Sequence, residues 1–114
     1  MTQTEKLYPY MFAESENRNE HIKLAWEKAE MAVAILKKEF GAKRVILFGS
    51  LANTENFDNN SDIDLAVEGI DESVFYKALG RVISEIDDFE FDIVDCNDCS
   101  KVLLNAINKE GIEL

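Results

Sequence analysis

Val45-Ile-Leu-Phe-Gly-Ser50 and, after a short polar loop, Ser61-Asp-Ile-Asp-Leu-Ala-Val67 decide how this chain folds. The first is an apolar run that ends on Gly-Ser. The second is an apolar run interrupted by carboxylates at i and i+2. Side chains alternate faces along a strand, so Asp62 and Asp64 point one way while Ile63, Leu65 and Val67 point the other. Two like charges on one face of a strand repel, and a cation would neutralise them. Hard divalent ions such as Mg2+ use one or two carboxylates together with phosphate oxygens of a substrate. Gly49 allows close approach of the backbone, and Ser50 adds an N–H and a hydroxyl. The pattern points to a Mg-nucleotide site.

Upstream, Ile22, Ala25, Trp26, Ala29, Val33, Leu36 and Phe40 recur at helical spacing. They predict a helix from about Asn17, as N-cap, to Phe40, with Gly41 at its C-cap. Leu24, Met31 and Ile35 widen the apolar stripe enough for two contacts, one with a sheet and one with something else. Residues 1–13 contain Leu7, Tyr8, Tyr10, Met11 and Phe12, and Pro9 argues against a helix there. They are read as an apolar arm ahead of a domain over 14–114. His21, with no second histidine or cysteine nearby, is read as a surface residue.

Downstream, Asp71 caps a second helix carrying Phe75, Ala78, Leu79, Val82 and Ile83. Phe89-Glu-Phe-Asp-Ile-Val-Asp95 alternates as a third strand, and Ser100 caps a last helix that Gly111 ends. The expected fold is α/β (α+β), a small mixed sheet of three or more strands flanked by helices. Two carboxylates from one strand and a third from its neighbour can hold two metal ions roughly 3.5–4 Å apart. Asp92, on the face opposite Phe91 and Ile93, is the favoured third. Asp95 is its rival, because a one-residue slip in register exchanges the faces.

The chain has 114 residues, a formal net charge of −11 and no apolar run of membrane-spanning length. That length suits one domain and leaves no room for a sizeable substrate-binding domain. Such acidity disfavours direct binding to nucleic acid, where cations must meet phosphates. Lys37, Lys38, Lys43 and Arg44 form the notable basic cluster, read as a solvated helix end or else as a rim attracting a triphosphate or an acidic partner. No signal peptide is visible, which suggests a cytoplasmic protein. Cys96-Asn-Asp-Cys99 supplies only two soft ligands, too few for a zinc site, and is read as two free thiols.

Gly-Ser, a gap, then Ser-Asp-x-Asp-Leu-x-Val resembles the signature of the nucleotidyltransferases with a DNA polymerase β-like palm. Over roughly residues 30–114 the chain is most similar to the minimal nucleotidyltransferase (MNT) family. The resemblance implies metal ligation and catalysis by Asp62, Asp64 and Asp92, with Gly49 and Ser50 on the β- and γ-phosphates. It implies two Mg2+ ions and transfer of AMP from ATP. It also implies a small all-helical HEPN protein as partner, the MNT chain being the antitoxin of the pair and able to adenylylate a tyrosine on it. MNT proteins commonly continue Gly-Ser-x-Ala-Arg-Gly, whereas here Asn53 and Thr54 stand at the last two places. Loss of that arginine removes a permanent charge from beside the phosphates, which keeps open a module that neutralises its partner by binding alone.

Overall fold

A single long helix, α1 (Pro9–Phe40), carries the chain into a four-stranded sheet. The computed structural model describes residues 9–54, 57–58 and 60–114, and for residues 9–17 the backbone only. The helix starts eight residues before the Asn17 cap that the sequence suggests. The reason is chemical: proline lacks an N–H, but the first turn of a helix leaves its N–H groups unpaired anyway, so Pro9 can open a helix that it could not continue. Residues 9–13 of the expected arm are therefore helical, and residues 1–8 lie outside the described part. Ala25, Ala29, Ala32, Val33 and Leu36 are the buried stripe of α1.

Gly41, at φ +75°, turns the chain out of α1 into β1 (Arg44–Phe48). A 3-10 turn over Gly49–Leu51 and a loop lead to β2 (Ile63–Glu68). Asp71 accepts from the Ser73 N–H at 2.9 Å and the Ser73 hydroxyl at 2.8 Å, capping a short 3-10 turn that runs on into α2 (Phe75–Glu85). The Ser73 hydrogen bonds hold the Asp71 carboxyl below its ordinary pKa. After β3 (Phe91–Asp95), Ser100 accepts from the Leu103 N–H at 3.2 Å and opens α3 (Lys101–Glu110). The tail forms a short β4 (Ile112–Glu113).

The strand order is β3-β2-β1-β4. β1 is antiparallel to both β2 and β4, and β2 is parallel to β3. Alternation along the strands builds two apolar layers. Val45, Leu47, Ile63, Leu65, Val67 and Ile93 pack against α1 and α2. Ile46 and Ala66 face the other way and pack with Ile107 of α3, beside Phe48, Val94 and Leu103. Among the described residues no helix is long and apolar enough to cross a membrane.

Candidate active site

Register brings the predicted carboxylates together. Phe48 pairs with Asp64 across β1 and β2, and Asp64 pairs with Asp92 across β2 and β3. Paired residues in a sheet share a face, so Asp64 and Asp92 lie side by side on the α3 side of the sheet. Asp62, two residues before Asp64, precedes β2 and is close enough for its charge to act on Asp64. Asp95 pairs with Val67, whose side chain belongs to the opposite layer. Its carboxylate caps the Asn97 N–H at 2.9 Å. The register thus separates Asp92 from its rival.

Gly49 completes this end of the sheet. It sits at φ +73°, and a β-carbon placed on it would meet Asp64 Oδ2 at 2.1 Å. Only glycine takes that backbone conformation cheaply, and its missing side chain is the space the Asp64 carboxylate occupies. Ser50 follows half-buried in the 3-10 turn, and the Gly49 carbonyl accepts from the Asn53 N–H at 3.2 Å.

Burial, then the charges of Asp92 and Asp62, raise the Asp64 carboxyl to a pKa of about 6. None of the three aspartates has a Lys or Arg ion pair among the described residues; the ion pairs fall on Asp88, Glu68, Glu113, Glu39 and Glu85. Three oxygen-only ligand groups without a protein cation match the donor set of a hard divalent ion. The side chains do not close on a common point: among the described residues no three His, Cys, Asp or Glu groups form a ready metal cage.

Two residues near the site escape a reading of the sequence. Arg18, on α1, donates its guanidinium to the Thr54 carbonyl, in the loop where the family's arginine is missing. Nothing local to position 18 signals a contact across 36 residues. His21 is half-buried rather than a surface residue. Its ring stacks on Phe57 at 5.4 Å and lies 5.1 Å from Phe89, and its Nε2 is buried without a hydrogen-bond partner among the described residues. The basic cluster is not a rim of this site. Arg44 opens β1 at the far end of the sheet, where it pairs with Glu68 and Glu113, and Lys37 Nζ donates to the Leu114 main-chain oxygen at 2.6 Å.

The sequence profile of the polymerase β nucleotidyltransferases matches residues 30–114. The chain belongs to this family. By sequence, no curated protein matches it. Among the solved structures similar to this nucleotidyltransferase are toxin–antitoxin complexes. One, with AMP-PNP, is 26% identical at a TM-score of 0.59, covering 71% of this chain and 67% of that chain. An MntA–HepT toxin–antitoxin structure is 23% identical at 0.58, covering 77% and 69%. A tri-AMPylated Shewanella oneidensis HEPN toxin in complex with its MNT antitoxin is 22% identical at 0.59, covering 78% and 70%. These likenesses establish a shared fold, a mixed sheet flanked by helices.

Proposed function

We propose that this nucleotidyltransferase moves AMP from ATP onto a hydroxyl of a small helical HEPN-type protein, as the antitoxin of a toxin–antitoxin pair. The observation that carries the reading is the in-register Asp64–Asp92 pair, with Gly49 against Asp64, Asp62 near enough for its charge to act on Asp64, and no Lys or Arg ion pair to the three among the described residues. Asp62, Asp64 and Asp92 would hold Mg2+, which supplies neutralisation of the triphosphate and activation of the attacking oxygen. Gly49 and Ser50 bind the β- and γ-phosphates through backbone N–H groups and the Ser50 hydroxyl. Asp92, exposed on the outer strand, faces the acceptor and takes its hydroxyl proton. The acceptor oxygen then bonds to the α-phosphorus as the bond to pyrophosphate breaks. Arg18 holds the loop behind Ser50 by its bond to Thr54. The solved relatives support the acceptor class, one being bound to AMP-PNP and another an AMPylated HEPN toxin held by an MNT antitoxin.

A second reading keeps the fold but not the turnover: the chain neutralises its partner by covering it. Asn53 and Thr54 in place of arginine and glycine favour it. One experiment separates the two. The chain, α-labelled ATP, Mg2+ and a candidate HEPN-type protein are incubated together, in parallel with an Asp62→Asn/Asp64→Asn variant. Label on the partner that disappears with the variant supports transfer. A variant that protects from the toxin as well as the native chain does makes neutralisation a matter of binding.

A further inference from the structure

A groove of about 650 Å3 runs along the outer side of β3, away from the carboxylate site. Its floor is Ile93, Val94 and Asp95, three consecutive strand residues. Consecutive side chains point to opposite faces, so one groove touches all three only along the strand's edge. Among the described residues β3 is the last strand of the sheet, with β2 its one neighbour. The Glu90 carbonyl accepts from the Ile63 N–H at 2.9 Å. By alternation, the N–H and C=O groups of Phe91, Ile93 and Asp95 face outward, into or beside the groove. Phe75 and Leu79 of α2 and Leu103 of α3 add apolar lining. Tyr76, 82% exposed, stands at the rim.

The ionisable carboxylates of the groove are Glu72, Asp95 and Asp98, and among the described residues its lining holds no Lys or Arg. A second copy of the chain would bring Asp92 and Asp95 of one edge against the same residues of the other, on molecules of charge −11, and like charges across paired strands are destabilising. We infer that the β3 edge is a docking site for an extended, basic segment of a partner protein, which adds a strand to the sheet. Its backbone pairs with Ile93 and Asp95, its alternate apolar side chains enter between Phe75, Leu79 and Ile93, and its cations meet Glu72 and Asp98. This site does not depend on nucleotide transfer.

The test uses the full chain and a fluorescein-labelled peptide of alternating Lys and Val. Its control has the same charge but Pro at every Val, and so cannot pair as a strand. We expect binding of the Lys-Val peptide at least tenfold tighter than the control. Slowed hydrogen exchange at the Ile93 and Asp95 amides should accompany it. A Glu72→Lys/Asp98→Lys variant, changed only at exposed positions, should bind at least tenfold more weakly, and Tyr76→Ala measurably more weakly. Asp64→Asn should bind as the native chain does, which keeps failure of this site distinct from failure of the transfer reading. Equal binding of the two peptides means charge attraction alone and overturns the proposal. So does absence of binding, as when the chain's own segment covers the edge, and so does protection of the Ile93 and Asp95 amides by self-association without peptide.

Discussion

The two ends of β2 carry acids of opposite fate. Glu68 lies at one end, with Arg44 Nη1 at 3.2 Å, and Arg44 also reaches Glu113 at 2.9 Å. Asp64 lies at the other end, half-buried beside Asp92, with no cation among the described residues and a carboxyl raised to about 6. One strand thus carries an acid that is part of the scaffold and one held at electrostatic cost. Paired acids at a surface stabilise weakly and do nothing more. Unpaired acids forced together cost stability, and a fold keeps them where a ligand supplies the missing charge.

The strongest way to break this contrast is to remove the charge of Asp64. Asp64→Asn should lower AMP transfer by more than about 1000-fold, the upper scale on which removal of a key electrostatic group acts. The same variant should raise the melting temperature of the metal-free protein at pH 7, because it removes a carboxylate buried next to two others. A fall in melting temperature would mean that Asp64 is a structural acid like Glu68.

Gly49→Ala tests the space rather than the charge. The new methyl would displace the Asp64 carboxylate, whose Oδ2 stands 2.1 Å from its place. A displacement of about 1 Å at a reacting centre can cost about 100-fold in rate, and transfer should fall by about that much. The carboxylate can swing aside, but the φ +73° backbone strains any β-carbon, so melting temperature should also fall, by the several degrees that about 1–2 kcal/mol corresponds to.

pH sharpens the comparison further. The Asp64 carboxyl titrates near 6 in the folded chain and near its ordinary 3.8 in the unfolded one. The folded state therefore holds the extra proton between those values. Asp64's contribution to metal-free stability is full below about 4 and lost as pH rises through about 6. Thermal scans of native chain and Asp64→Asn between pH 4 and 7 should differ in slope in that direction. Under the proposed function Mg2+ would compete with the same proton, so calorimetry should show Mg2+ binding weaken as pH falls below about 6, with proton release.

The smallest effect belongs to the paired end. Arg44→Ala should change transfer by less than about twofold, since exposed ion pairs contribute little, and its slight effect on melting should shrink as salt screens it. A loss comparable to that of Gly49→Ala would mean that the far end of the sheet takes part in the site.

Much of this architecture was legible because it rests on local periodicity. The alternation Asp62-Ile63-Asp64-Leu65 shows which side chains share a face, whatever the strand packs against. The alternating Ile63, Leu65 and Val67 fall within β2, Ile63–Glu68. What periodicity lacks is register. Asp92 and Asp95 sit in the same strand with the same side chain, and only the pairing of β3 with β2 sets Asp92 beside Asp64. Caps were legible in part: Ser100 and Asp71 cap as their chemistry suggests, while Asn17 lies inside a helix that Pro9 begins.

Long-range contacts were not legible at all. Arg18 reaching Thr54, His21 between Phe57 and Phe89, and the groove along β3 each join residues far apart in the chain. A side chain's partners depend on which surfaces the closed core brings within a few ångströms, and no sequence window contains that information. The sequence by itself determined the strands, the helices, the carboxylate face and the glycine that turns beneath it, because these follow from backbone stereochemistry and the two hydrophobic periods. The tertiary structure alone set Asp92 rather than Asp95 beside Asp64, and decided which acids are neutralised and which edge stays open among the described residues. Those depend on strand order and register, which are settled only when the two apolar layers pack around one sheet.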